Sequence, residues 1–265
     1  MKKRLLTLLL TAVMTIGCVA NAFAAGKTTV ALGSDLTPDQ QATVLSLLGV
    51  SDLNSCDVVY VTNDDEKKAL GNYFSSDKIG TKSLSSVAIT ETAPGSGINV
   101  TTYNINVCTV QMYTNALETA GVKDANIVVA APTPISGTSA LVGVSKAYGE
   151  ITGSAIDRNL LDAAINEIAV TGSITSVDPD DAATLIAQIK DELKRGGYTD
   201  EASISGLIDE LSAEYGFTLT ASEKQQIIDL CLKLLKADKV QSSVGSALGK
   251  AAGFFSGLFG KLFKR

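Results

Sequence analysis

The chain has 265 residues, 28 acidic against 22 basic, and a net charge of −6 without a single histidine. That absence excludes Ser-His-Asp and Cys-His nucleophilic sites, histidine-ligated zinc and any imidazole base. The acidic balance speaks against general nucleic-acid binding, and the lack of tryptophan with only 5% aromatics speaks against stacking platforms for single strands or large carbohydrates.

Residues 1–24 read as a secretory signal peptide. Lys2, Lys3 and Arg4 form the positive start, Leu5 to Ala20 the apolar core, and Ala22-Phe23-Ala24 a small-x-small site that predicts cleavage before Ala25. The apolar run is too short and wrongly flanked for a stable membrane span. Cys18 offers a lipoprotein site, but Thr15 stands where such sites usually have Leu, so simple export to an extracellular or cell-surface location is the expectation. Without the three positive charges of the signal the mature chain carries −9. The five basic residues from Lys239 onward, unaccompanied by any acid, leave −14 on residues 25–238.

Thr28 to Leu32 reads as a first strand. Thr37-Pro38-Asp39-Gln40 then opens a helix with a capping threonine, a proline at the first helical position and a glutamine that completes a capping box. The helix buries Val44, Leu47 and Leu48 and stops at Gly49. Asp57 to Thr62 is a second strand, too continuously apolar for an exposed edge. Asn63 is the expected cap of a short helix, with Glu66 at the capping-box position. Ser85 to Glu91 and Ile98 to Asn106 are rich in β-branched residues and flank Ala93-Pro94-Gly95-Ser96-Gly97, which predicts a β-hairpin. A helix over Thr109 to Ala120 follows. Ile127 to Ala131 reads as a buried strand, ended by a turn through Pro132 and Pro134. The cluster Ser136-Gly137-Thr138-Ser139 then leads into a helix from about Ala140.

After Gly153 no strand pattern returns. Asp157 to Val170 is helical, Asp178-Pro179-Asp180-Asp181 starts another helix, and Ile204, Leu207, Ile208 and Leu211 mark a third. Thr220 caps a fourth, with Glu223 at the capping-box position. The expected architecture is an α/β domain with a mixed sheet and one β-hairpin over residues 25–155. An α-helical domain over 156–240 and a glycine-rich, basic amphipathic tail over 241–265 complete it.

The segments VVYVTNDDEKKALG at 58–71 and NALETAGVKDANIVVAAPTPISGTSALVGVSKAY at 115–148, with the acidic helical second half, resemble the YpuA-like family. These are secreted proteins of Gram-positive bacteria with a domain of unknown function. The resemblance implies export and brings no activity, substrate or catalytic residue with it.

The residues themselves offer several candidate sites. Ser136, Gly137, Thr138 and Ser139, at a helix start after a buried strand, could bind an anion or small ligand; hydroxyl residues there are more often simple caps. Gly137-Thr138-Ser139-Ala140 also resembles the nucleophile turn of the sedolisin-like peptidases. Those use a Ser-Glu-Asp triad, so the alternative is a serine hydrolase with Ser139 attacking and a distant glutamate as base. The acidic runs at Asp64-Asp65-Glu66 and Asp178-Asp181 lack the spacing of a calcium loop and read as helix starts. No metal or other cofactor is expected.

Three cysteines remain in the mature chain. Cys231 reads as core, while Cys56 and Cys108 could form a disulfide or stand as two buried thiols. In the tail, Val244, Leu248, Phe255, Leu258, Phe259, Leu262 and Phe263 share a helical face, with glycines every fourth residue from Gly245 to Gly257 on the other. Lys250, Phe254, Phe255, Phe259, Lys261, Phe263, Lys264 and Arg265 are the expected contacts to an anionic membrane or cell-wall polyanion, and the glycine ridge suits self-association. Docking of the tail on its own acidic body competes with this. The combined expectation is a non-enzymatic, envelope-associated binding or structural protein.

Overall fold

Residues of β1 (Thr28–Gly33) alternate between two apolar layers. Val30 and Leu32 meet Val44 and Leu48 of α1 (Pro38–Leu48) on one face of the sheet, and Ala31 turns to the other face. The structure, a computed structural model, describes Gly26, residues 28–152 and residues 157–237. The predicted signal peptide and the amphipathic tail, with all its contact residues from Lys250 to Arg265, lie outside the described residues.

β1 pairs in parallel with β2 (Asp57–Val61) through the α1 crossover, and antiparallel with β3 (Ser86–Glu91) on its other side. β3 pairs antiparallel with β5 (Ala125–Ile135), and β5 pairs in parallel with β4 (Ile98–Ile105). The result is a mixed five-stranded sheet in the order β2-β1-β3-β5-β4, in which β2, expected inside the sheet from its apolar run, is an edge strand with Tyr60 exposed and only Val61 fully buried. The capping box of α1 forms between Thr37 and Gln40 as its sequence predicts, and two short helices, α2 (Asn63–Leu70) and α3 (Ser76–Ile79), lead from β2 to β3.

The expected hairpin between 85–91 and 98–106 does not form, because β5 lies between β3 and β4. The loop over 92–97 steps across the amino end of β5. Thr92 N donates to Asp124 O (3.1 Å), Gly97 N to Asp124 Oδ1 (2.9 Å) and Ala125 N to Gly97 O (3.1 Å). A strand with Ile127, Val129, Ala130 and Ala131 all buried belongs at the centre of a sheet with helices on both faces. A loop longer than a tight turn leaves room to place it there.

β5 also runs through Pro132 and Pro134, where the sequence predicts a turn. Both prolines fall between Ala130, which pairs with β3 and β4, and Ile135, which pairs with Ile105 beyond a register shift. No ladder hydrogen bond is asked of them there. Asn104 makes the shift in a left-handed conformation (φ 58°), and its Nδ2 donates to Ala131 O at 2.8 Å.

On the face opposite α1, α4 (Val110–Thr119) and α5 (Thr138–Thr152) cover Val87, Ile89, Ile127 and Val129. Gly143 lets α5 lie close, since a Cβ there would stand 3.0 Å from Val87 Cγ1 and 3.1 Å from Ala31 Cβ. α6 (Arg158–Thr171) packs Ala164, Ile165 and Ile168 into this same core. α7 (Pro179–Arg195), α8 (Glu201–Tyr215) and a last helix over 221–237, α9, gather a second core around Ile186, Ile189, Ile204 and Ile227. The helical half therefore follows the α/β half, with α6 built into the core of both.

A buried polar cluster joins the halves. Lys190 Nζ donates to Glu167 Oε1 (2.8 Å) and to Asn115 O (2.6 Å). Thr119 Oγ1 donates to Glu167 Oε2 (2.5 Å), and Asn115 Nδ2 to Ala183 O (2.9 Å). Thr220 and Glu223 form the expected capping box at the head of α9. Glu223 also accepts from Thr175 N and Ser176 N, so it ties that head to the turn between α6 and α7. Burial alone would raise its pKa, but the backbone N–H groups of Thr220 and Thr175 hold it at about 2.

The Cys56–Cys108 disulfide is not formed. Cys56 packs with the α1 layer, and Cys108 sits in the opposite core against Tyr113, so the sheet separates them. Cys231 is core, as expected, and burial pushes its thiol up to about 12.

Candidate functional site

The parallel pairing of β1 with β2 and of β4 with β5 sends four strand ends to one edge of the sheet. β3, running the other way, begins there. α5 starts at the same edge, as does α2 (Asn63–Leu70). In open α/β sheets this edge is where ligands bind, because loops and helix N-termini converge while the strands hold them rigidly.

The structure brings Ser136, Gly137, Thr138 and Ser139 together at the head of α5. They line a cavity of about 500 Å³, opposite Lys82 and Asn106. Gly137 fixes the entry. Its φ is +92°, and a Cβ there would stand 2.5 Å from Tyr113 Oη and 2.7 Å from Ile105 Cγ2. Tyr113, fully buried on α4, donates its hydroxyl to Gly137 O at 2.7 Å and so clamps the turn from below. A further cavity of about 190 Å³ lies among α4, α6, α7 and α9, lined by Leu193, Leu234 and Leu235.

The group that organises the head of α5 is Glu66, fully buried on α2. Ser139 Oγ donates to its Oε1 at 2.8 Å, and Thr138 Oγ1 reaches Oε2 at 3.3 Å. Ser136 Oγ in turn lies 3.3 Å from Thr138 Oγ1. Burial pushes the Glu66 carboxyl above its ordinary pKa; the hydroxyls of Ser139, Ser83 and Thr138 pull it back, and Asp35 raises it further. Ser83 is near enough to act on the charge, but its buried hydroxyl meets no hydrogen-bond partner among the described residues. Glu66 thus places at the head of α5 an internal carboxyl that accepts from its hydroxyls and whose burial favours the neutral form.

Glu66 escapes the sequence reading because the capping box of α2 is displaced by one residue. The cap is Thr62, whose Oγ1 accepts from Asp65 N while Asp65 Oδ2 accepts from Thr62 N at 2.8 Å. Asn63 instead donates its side chain to Gly80 O. Asp65 takes the capping work, and the next residue, a turn away from solvent, faces inward. Asp65 also pairs with Lys146 of α5 at 2.7 Å; first that bond and then Thr62 hold its carboxyl at about 2. Lys146 is therefore spent on joining α2 to α5 and, as its distance along the helix suggests, is no part of the cavity.

The first turn of α5 is partly satisfied from β3's approach. Ala140 N donates to Ser85 Oγ at 3.0 Å and to Gly137 O at 3.2 Å. Ser85, Tyr113, Lys82 and Asn106 carry no motif in the sequence, and only the sheet order brings them to the cavity. Among the described residues no cluster of three His, Cys, Asp or Glu side chains could hold a metal ion, and no helix is long and apolar enough to cross a membrane.

Comparison with known proteins places these residues in a family. The chain is 40% identical over 217 residues to the uncharacterized protein YpuA of Bacillus subtilis (strain 168), covering 81% of this chain and 74% of that one. No solved structure matches it. The family described as "Protein of unknown function (DUF1002)" matches residues 32–251, which include the whole cavity and all of the sheet except the first four residues of β1. This chain belongs to the DUF1002 family of proteins of unknown function.

Proposed function

We propose that this chain is an exported, non-enzymatic binding or structural protein of the cell envelope, with the cavity at the head of α5 as its ligand site. Ser136, the first turn of α5, Asn106 and Lys82 suit a small ligand bearing a carboxylate, a phosphate or another hydrogen-bond acceptor. The observation that carries the non-enzymatic reading is the bond from Ala140 N to Ser85 Oγ. The N–H after a serine nucleophile is the usual donor to a developing oxyanion. Here it is already engaged inside the fold. Export rests on the signal-peptide pattern of residues 1–24, and envelope contact on the basic amphipathic tail.

A serine hydrolase using Ser139 is the second reading, and the 2.8 Å contact from Ser139 Oγ to Glu66 favours it. A carboxylate with a raised pKa is the base such a serine would need. A fluorophosphonate probe separates the two. The expected result is no labelling of the mature protein; labelling lost in Ser139→Ala would establish the hydrolase. The ligand site is tested with inorganic phosphate and with acetate, either of which should raise the melting temperature of the native chain and not of Lys82→Glu.

A further inference from the structure

The two edges of the sheet are built differently. β2, at one edge, is five residues long and begins with Asp57. Its Tyr60 carbonyl accepts from Lys146 Nζ at 2.8 Å, so a charged side chain already sits on that edge. β4, at the other edge, is eight residues long, Ile-Asn-Val-Thr-Thr-Tyr-Asn-Ile, and among the described residues no strand pairs with its outer side. It carries no charge and no proline, the two devices that most often keep an edge strand from pairing.

Three features of the surroundings point the same way. Between Glu91 and Glu118 the chain has no Asp, Glu, Lys or Arg, although residues 25–238 carry −14 overall. An acidic protein repels its own copies over most of its surface, and this neutral stretch is a place where it does not. Five large hydrophobic side chains stand exposed among the described residues, and three of them, Tyr103, Val107 and Val110, lie at the carboxyl end of β4 and the turn into α4. Lastly, β4 pairs in regular register with β5 from Ile98 to Tyr103 before Asn104 shifts it, so a straight segment is available for a partner strand.

We infer that β4 is a self-association edge, at which two copies pair their β4 strands antiparallel to form a continuous ten-stranded sheet. A two-fold axis perpendicular to the sheet near Thr101 keeps the α4 layers of both copies on the same face. It sets Val100 opposite the second copy's Thr102, and Tyr103 opposite its Asn99. Such an axis makes the interface isologous, so one uncharged strand is its own complement. An eight-residue strand is about 26 Å long. Its edge alone is narrow beside the roughly 800 Å² per partner of a stable interface. The exposed Tyr103, Val107 and Val110 widen it at both ends, because the two-fold brings each set beside the amino end of the other β4. A narrow interface that lacks a large apolar centre is expected to give a dimer that dissociates at about micromolar concentration.

The test is sedimentation equilibrium of the mature full-length chain up to about 100 µM, with Tyr103→Lys and Val110→Asp as separate variants. Both side chains are exposed, so neither change removes a core contact, and circular dichroism and melting check that each variant is folded. The expected result is a concentration-dependent dimer whose dissociation constant rises at least about tenfold in each variant at an unchanged melting temperature. Amide exchange over residues 98–103 should slow as the native chain is concentrated. A native chain that stays monomeric throughout overturns the proposal. So does a dimer that both variants leave intact, which would move the contact to another surface such as the tail.

Discussion

Ser139 Oγ donates a 2.8 Å hydrogen bond to Oε1 of Glu66, a carboxyl 73 residues earlier and fully buried beneath the head of α5. The contact joins α2 to α5 and gives the helix start an internal acid. It also makes the site sensitive to pH, because the folded state raises the Glu66 pKa. The neutral carboxyl is the form that burial favours. Its stabilisation is complete below about 4.5, the unfolded value, and is lost as pH rises through the higher folded value.

Glu66→Gln removes that dependence while keeping an acceptor for Ser139. The variant should match the native chain in stability at pH 4 and equal or exceed it at pH 8. Glu66→Ala, by contrast, leaves buried hydroxyls unpaired and should cost about 2–4 kcal/mol. Ser139→Ala should cost about 1–2 kcal/mol, with no hydrolytic activity to lose. Urea melts at both pH values check all three, and a Gln variant less stable at pH 8 than at pH 4 by the native margin would refute the titration argument.

Gly137→Ala should destabilise by about 2–4 kcal/mol, since the left-handed backbone and the Tyr113 and Ile105 contacts oppose a Cβ together. Tyr113→Phe removes one of those contacts and the bond to Gly137 O, at about 1–2 kcal/mol by itself. Because the two share one contact, the double variant should fall short of the sum of the singles. Thermal or urea denaturation of the four proteins measures the shortfall, and strict additivity would contradict the geometry.

Lys190 and Glu167 form a buried pair between α7 and α6, with side-chain exposures of 7% and 1%. Lys190→Met leaves Glu167 without its cation and should cost about 3–5 kcal/mol. Lys190→Met with Glu167→Leu removes both charges and should recover most of that loss. A double variant as unstable as the single would show that the hydrogen bonds to Asn115 O and from Thr119, rather than the ion pair, hold the helices there.

The tail prediction rests on sequence. The mature chain should sediment with anionic vesicles, and less so at high salt, since each basic residue near such a surface contributes on the order of 1 kcal/mol. A chain ending at Asp238 should stay folded and not bind. Loss of melting temperature on truncation, with no vesicle binding by either form, would instead place the tail on its own domain.

Local rules were enough wherever the cause was local. The strand at β1, the capping boxes at Thr37 and Thr220, the proline at the start of α7 and the apolar stripes of α6 to α9 follow from neighbours in the chain, and the structure has them where those neighbours imply. The sheet order does not follow in that way. A six-residue loop permits either a hairpin or a strand inserted between its arms, and burial of β5 on both faces decided for insertion. The same distinction governs the site. The Ser136–Ser139 turn was legible as a polar helix start. Its acid was not, because Thr62 with Asp65 and Asn63 with Glu66 are equally good capping pairs on sequence. Choosing the first pair turns Glu66 inward, and that choice depends on a core which exists only once α5 has docked on the sheet.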